Sequence, residues 1–414
     1  MNERNQTGKE LKVFIASNGC DRRLLDSQKI SEFFQNESHV IAPTPKDADY
    51  IFINTCAMSQ TAEDTSVNLI KKYLDYDGKI VVHGCLPQIA PSRFSKEFEE
   101  KKIIKIDAKD LEGKMDELFP SFNTKFSEFP DPVALAQDQS LISKVINKFK
   151  FDEVFFLTCL SALKFKLKNP TKPLHPRVKQ GAYLQIGSGC SDNCTYCAIP
   201  RAIGGMKSKT ADQVLREYAR ILEKGESSFI FTADNLGLYG LDIGTNLPVL
   251  LDEMHSIDTK YRKVHWTFNE LHPKWLLKYK PTILNYVGNG KIKELCVPIQ
   301  SGSDRVLQLM KRNNKAAETQ AVLEEVRKAS SSLRLTTDVI IGFPTETDEE
   351  FLSTIKMIAR VGFDQVMFFS YGKREGTPSS EMIIDENENK KNIIRRFKMA
   401  SKLLDKERIS YTFQ

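Results

Sequence analysis

Residues 183–201 read Tyr-Leu-Gln-Ile-Gly-Ser-Gly-Cys-Ser-Asp-Asn-Cys-Thr-Tyr-Cys-Ala-Ile-Pro-Arg, an apolar strand-like run that opens into a loop carrying Cys190, Cys194 and Cys197. The spacing is C-x3-C-x2-C. Three thiolates so placed can each take one iron of a [4Fe–4S] cube, and no fourth cysteine lies nearby to close the set. One iron is then left open. An open coordination position serves chemistry, whereas a structural metal site is closed, a logic that zinc sites share. A zinc loop would want a fourth Cys or His close by, and none is present; the other alternative is a set of buried, inert thiols.

Downstream, strand-like runs recur at 182–188, 227–233, 263–268, 292–300, 334–341 and 365–371, separated by amphipathic helical segments such as ADQVLREYARILEKG and TDEEFLSTIKMIARVG. Six βα repeats of this length predict an open or partial barrel whose site lies at the carboxyl ends of its strands. Because the three-cysteine loop follows the first strand, it falls at that mouth. Other strand-end residues become candidates there: Thr232, Asp234 and Asn235, then Asn269 and Glu270, then Gln300, Ser301 and Ser303, then Gly342-Phe343-Pro344. Helix capping is the rival role for Ser303, Asp304, Thr345 and Thr347. Cys296, inside the fourth run, reads as core.

Upstream, KVFIA (12–16) runs into Ser-Asn-Gly-Cys20, DYIFI (49–53) into Asn-Thr-Cys56, and KIVV (79–82) into His-Gly-Cys85. Helical spacing fills 26–36 and 63–76, so the order βαβαβ predicts a parallel sheet. Loops at the carboxyl ends of parallel strands share one edge. Cys20, Cys56 and Cys85 should therefore converge although they are far apart in sequence. Three separate core cysteines are the alternative, and His83 is a further candidate donor beside them.

The chain has 414 residues, 41% apolar and 28% charged, which suits two or more globular domains. Its polar start lacks a signal-type apolar region, and no run is long enough to span a bilayer, so a cytoplasmic protein is expected. Eight cysteines in a reducing compartment are better read as free thiols than as a disulfide framework. A net charge of +6 permits an anionic partner without requiring one. Proline-broken chain near 119–133 precedes an amphipathic helical insertion at 139–168 that contains Cys159.

The loop GCSDNCTYCAIP, with Tyr196 before its last cysteine, resembles the signature of the radical S-adenosylmethionine (SAM) enzymes. SNGC20, ADYIFINTC56, VVHGC85LPQ, LGLYGLDIGTNLP, PIQSGSDRVLQLMKR and DVIIGFPTETDEEF resemble the methylthiotransferase branch. The resemblance covers residues 11 to about 110 and 178 to about 410. It implies an α/β architecture: an N-terminal parallel-sheet domain (1–118), a linker with a helical insertion (119–178), and a partial (β/α)6 radical SAM barrel with a C-terminal helix (179–414). It further implies two [4Fe–4S] clusters. One, on Cys190, Cys194 and Cys197, would bind SAM at its open iron and on reduction yield a 5'-deoxyadenosyl radical. The other, on Cys20, Cys56 and Cys85, would deliver sulfur. SAM contacts are expected from Tyr196, Asp234, Asn235, Gln300 and Gly342. A flavodoxin- or ferredoxin-like electron donor and a protein, peptide or transfer-RNA substrate complete the expected partners.

Two departures qualify this. Ile203 and Met206 stand where the family pattern R-G-x-E-x-S-R has arginine and glutamate, while Ser208 and Lys209 keep its end. The chain stops after the helix 390–414, where these enzymes continue into a small TRAM barrel. Lys390, Lys391, Arg395, Arg396 and Lys398 form a basic stripe there, read either as a phosphate contact or as a solvated face. The expected reaction replaces an unactivated C–H by C–S–CH3, with the substrate leaning to protein or peptide. The alternatives are a radical SAM enzyme whose N-terminal cluster carries only electrons or binds substrate, and a noncatalytic metal-binding scaffold.

Overall fold

The computed structural model describes residues 10–99, 101–133, 181–261 and 263–413, which form two compact units. The insertion expected at 139–168, with Cys159, lies outside the described residues.

In the first unit, β1 (Lys12–Ser17), β2 (Val40–Ile41), β3 (Tyr50–Thr55), β4 (Lys79–Gly84) and β5 (Ile103–Asp107) form one parallel sheet in the order β2-β1-β3-β4-β5. The three strands expected from sequence are its centre. Central β3 is buried along its whole length, which is why it reads as a continuous apolar run rather than an alternating one. Edge strand β2 has only two residues and β5 carries a lysine, so neither offers a strong pattern. The helix Asp21–Asn36 lays Ile30, Phe33 and Phe34 against the sheet. Phe119, Phe122, Phe126 and Phe129 return onto the same pair, with Phe126 edge-on to Phe33 at 5.0 Å. The segment 119–129, expected to be linker, is therefore part of this core. Its aromatic side chains bury themselves even though its backbone is irregular.

The second unit is a seven-stranded parallel sheet. β6 (Ala182–Gln185) lies at one edge, followed by β9 (Ser228–Thr232), β10 (His265–Phe268), β11 (Ile292–Cys296), β12 (Arg334–Ile341), β13 (Gln365–Ser370) and β14 (Ser410–Phe413). A short antiparallel ribbon, β7 (Gly187–Ser188) with β8 (Lys207–Ser208), flanks the cysteine loop. The expected six strands are all present. The seventh corrects the reading of 390–414 as helix to its end. Arg408, at φ 58°, takes the left-handed turn that stops the helix Glu386–Glu407, and Ser-Tyr-Thr-Phe then pairs with β13.

Register decides which side chains face the helices. Phe229, Phe231, Trp266 and Phe268 do: the Trp266 indole donates to the Tyr218 hydroxyl at 3.2 Å and packs on Tyr286. Alternation along the strands puts Thr232, Thr267, Cys296, Thr336 and Asp338 on the opposite face. Cys296 is buried, as expected, with its sulfur 4.0 Å from an Asp338 carboxylate oxygen. The inward face of the sheet is thus polar where its outward face is aromatic.

Candidate functional site

In the first unit, parallel registers bring the cysteine-bearing loops to one edge. Ser17 pairs with Asn54, and Thr55 with Gly84, so β1, β3 and β4 end at nearly the same level. Cys56 and Cys85 are the next residues, and Cys20 follows β1 by three. Gly84, at φ 109°, makes the turn into Cys85; a Cβ there would stand 2.3 Å from the Thr55 carbonyl oxygen. Asn18 ties the edge together, its side-chain oxygen accepting from the Cys56 amide at 3.3 Å and the Ser66 hydroxyl at 3.0 Å. Cys20 also occupies the N-cap position of the helix Asp21–Asn36, without a side-chain cap bond. Burial, and next the proximity of Cys20, pushes the Cys56 thiol up. His83 turns away to Asp26 (3.2 Å) and Arg23 (3.5 Å) under the edge.

In the second unit, the loop after β6 and β7 is fixed at nearly every position between its cysteines. The Gly189 amide donates to Asp234 at 2.8 Å. Asp192 accepts from Asn235 at 2.8 Å and Lys274 at 2.5 Å. The Met206 amide donates to the Ser191 hydroxyl. Thr195 donates through its amide to Met310 and through its hydroxyl to Leu309, and its carbonyl accepts from Ser379. Arg312 donates to the Tyr196 hydroxyl at 3.0 Å. Burial raises the Cys190 thiol to about 12 and pushes Cys197 up as well.

This environment argues against a free nucleophilic cysteine, which needs a lowered pKa to expose its thiolate. Buried thiols that resist ionisation become ligands when bound metal supplies the positive charge. Among the described residues no three His, Cys, Asp or Glu side chains gather tightly enough for a single metal ion. A cluster takes each thiolate on a different iron and needs them farther apart. Each set supplies three cysteines, the donor number that suits a [4Fe–4S] cluster with one iron open.

The other expected residues divide by role. Asp234 and Asn235 hold the cysteine loop, the latter also capping residues 236–238. Tyr196 packs beside Val306, Met310, Phe343 and Tyr371, and its hydroxyl serves Arg312. Gln300, at φ 64°, bridges to β12 while its side-chain oxygen is buried without a hydrogen-bond partner; the Thr232 hydroxyl is in the same state. Two such acceptors at the ends of β9 and β11 suit a ligand rich in hydroxyl and amino donors, as SAM is. Gly342, at φ 81°, lets the Asp385-capped helix pass over it, since a Cβ would meet Ile393 at 2.5 Å. Ser303 and Thr347 are helix caps. Ser208 binds Asp242 and Lys209 binds Glu217, while Ile203 and Met206 are buried, Met206 against Gly187.

Sequence reasoning missed Asp192, Lys274, His272 and Arg312. Asp192 was within the motif and Lys274 lies just beyond β10, but nothing linear joins them. His272 is held neutral by burial near Arg312 and Lys274, and its Nδ1 accepts from the Lys274 amide.

Beyond Gly342, Glu346 is buried against Arg396 at 3.0 Å, and desolvation outweighs that pull to raise its pKa to about 7. An unfolded glutamate titrates near 4.5. Between these values the folded state holds more protons, so its stability falls as pH rises through the window, by at most about 3 kcal/mol, and is level above it. Glu346→Gln should flatten that decline. Urea unfolding near pH 5 and near pH 8 tests it; an equal wild-type-to-variant difference at both pH values would refute the argument.

A profile of the Radical SAM superfamily matches residues 184–358, and one for Uncharacterized protein family UPF0004 matches residues 12–105. The chain is 28% identical to the probable threonylcarbamoyladenosine tRNA methylthiotransferase of Pyrococcus abyssi, covering 89% of this chain and 78% of that protein. It is also 28% identical to the ribosomal protein uS12 methylthiotransferase RimO of Clostridium botulinum, over 96% and 82% of the two chains. The radical SAM methyltransferase TsrM from Kitasatospora setae, solved with a tryptophan substrate and a SAM analogue, shares the fold with a TM-score of 0.60 at 11% identity, over 90% of this chain and 75% of that one. A three-cysteine loop at the mouth of one parallel sheet, a second three-cysteine edge on another, and relatives that span both units together support placing this chain in the radical SAM methylthiotransferase family.

Proposed function

We propose that the protein replaces an unactivated C–H bond of a protein or peptide side chain by C–S–CH3, using two [4Fe–4S] clusters and SAM. The observation that carries this is the presence of three cysteines at the strand ends of each unit, a donor number that would leave one position open on a bound cluster. Cys190, Cys194 and Cys197 would hold the cluster that binds SAM, and that group supplies the radical chemistry of the family. Thr232 and Gln300 would orient SAM through their buried oxygens, while Asp234, Asn235 and Asp192 keep the loop rigid. Cys20, Cys56 and Cys85 would hold the cluster that carries sulfur. A flavodoxin- or ferredoxin-like protein would supply electrons.

The protein or peptide acceptor is favoured by what the terminal basic stripe does. Arg396 is buried on Glu346 and Asp348, Arg395 binds Asp348 at 2.7 Å, and Lys391 lies 3.8 Å from Glu388. The two arginines are thus engaged by carboxylates, which weakens them as phosphate contacts, while Lys390, Lys391 and Lys398 stay exposed. A transfer-RNA adenosine is the second reading, favoured by the substrate that the names of the Pyrococcus abyssi and Thermotoga maritima relatives carry. Mass spectrometry of nucleosides and of the proteome, with and without the gene, decides. A methylthio increment confined to peptides is expected; one confined to transfer RNA selects the second reading, and its absence from both pools overturns the proposal.

A further inference from the structure

The helix Asp304–Leu309 ends directly beneath the cysteine loop, and the way it ends delivers a cation there. Lys311, at φ 52°, takes the left-handed conformation; its amide donates to Gln308 and the Arg312 amide donates to Leu307, a closure that satisfies the last carbonyls of the helix. Two more of those carbonyls, on Leu309 and Met310, accept from Thr195. The turn carries the Arg312 side chain inward. Its Nη1 donates to the Tyr196 hydroxyl at 3.0 Å and its Nη2 to the Pro298 carbonyl at 2.6 Å.

Arg312 is 5% exposed, and its Nε is buried without a hydrogen-bond partner. Neither of these bonds reaches a carboxylate. Asp192, an acid that acts on it, is already held by Lys274 and Asn235. His272 beside it is neutral and adds no charge of its own. A buried guanidinium is costly unless something of opposite charge compensates it. Cys194 is among the groups that act on it electrostatically. Three thiolates on a [4Fe–4S] core give an anion at this place, and one-electron reduction makes it more negative.

We propose that Arg312 is a positioning residue whose counter-charge is the cluster on Cys190, Cys194 and Cys197, so that it favours the reduced cluster and raises the reduction potential. The electron comes from an external one-electron donor, dithionite in the test and a small redox protein in the cell. Arg312 neither gives nor takes a proton or an electron. The inference rests on the reading of those three cysteines as cluster ligands.

The test is a redox titration of the full-length, cluster-loaded enzyme, following by EPR the reduced signal that added SAM perturbs. Arg312→Gln should lower the reduced-to-oxidised ratio at a fixed potential by tenfold or more, equivalent to about 59 mV or more for a one-electron couple. Arg312→Lys should stay near wild type, because it keeps the charge. Tyr196→Phe should also stay near wild type, because it removes the hydrogen bond and leaves the charge. If Arg312→Gln fails to retain iron, Arg312→Lys carries the test, and a tenfold fall in that variant overturns the proposal. An unshifted midpoint in an iron-replete Arg312→Gln overturns it too, as does a shift in Tyr196→Phe as large as in Arg312→Gln. Failure of the underlying cluster reading looks different: the wild-type protein then shows no SAM-sensitive signal.

Discussion

Alanine at any one of Cys190, Cys194 or Cys197 should lower SAM-dependent release of 5'-deoxyadenosine by at least about 10³-fold, and replacing all three should cost little more. Residues that act as one unit are grossly non-additive. A cluster that has lost one thiolate no longer presents the same open iron. The fold should survive, because the loop is held by groups other than its sulfurs: Gly189 on Asp234, Asp192 on Asn235 and Lys274, Thr195 on the helix end at Leu309 and Met310. Removing a single buried thiol is expected to cost about 1 kcal/mol of stability. The measurement pairs chromatographic assay of 5'-deoxyadenosine under dithionite with iron content and thermal unfolding. Cleavage persisting in Cys194→Ala at a wild-type rate would remove this loop from the chemistry. Parallel loss of cleavage and of the unfolding transition would instead make the cysteines structural.

The contrast with Asp234→Asn sharpens the point. That carboxylate accepts from the Gly189 amide, and an amide oxygen can accept the same bond. A residue that only holds the loop should therefore tolerate the isostere better than a ligand tolerates alanine. Trading a charge-assisted bond for a neutral one costs less than the roughly 1.5–3 kcal/mol of losing it, which would loosen the loop without unmaking the site.

The cysteines were legible because their meaning is local. C-x3-C-x2-C is readable as spacing, and Cys20, Cys56 and Cys85 are readable as strand ends once the βαβ order is recognised. Arg312 was not legible. It lies more than a hundred residues beyond Tyr196, and it reaches the loop only because Lys311 adopts a left-handed turn that no residue type announces. Asp192 and Lys274 share this problem, being joined by the meeting of the loops after β7 and β10 rather than by any pattern. Strand β14 was hidden for a different reason: four residues after a 22-residue helix give too short a window for period two to show. Phe119 and Phe126 read as linker because the prolines speak for the backbone, whereas their burial is decided by the aromatic face of Phe33 and Phe34.

Composition misleads about charge in the same way. The stripe from Lys390 to Lys398 looks basic in one dimension, yet its two arginines face Glu346 and Asp348. The converse holds at the cysteine loop, where the residues between Cys190 and Cys197 include one acid, Asp192, and no cation. Folding pairs Asp192 with Lys274, uses Asp234 as a backbone acceptor, and brings in Arg312 unpaired to a carboxylate.

Alanine at Cys20, Cys56 or Cys85 should separate the two halves of the reaction. Release of 5'-deoxyadenosine is expected to stay within about threefold of wild type, because none of these residues lies in the unit that holds the Cys190 loop. The methylthio product should fall by at least about 10³-fold, because three thiolates again act together. A role confined to electron transfer predicts otherwise: cleavage supported by the protein donor would fall, cleavage supported by dithionite would not, and sulfur would still reach the product once reductant was supplied. The scaffold alternative predicts no cleavage in the wild type at all. Cys56 is the most informative position. It is buried, its amide is held by both Asn18 and Ser66, and its thiol is pushed up by burial. Alanine there keeps both backbone bonds and removes only the sulfur, so a loss of product with cleavage and unfolding temperature retained can be attributed to the missing ligand. If Cys56→Ala instead made full methylthio product, sulfur would have to come from somewhere other than this edge, and the second cluster would lose its assigned role.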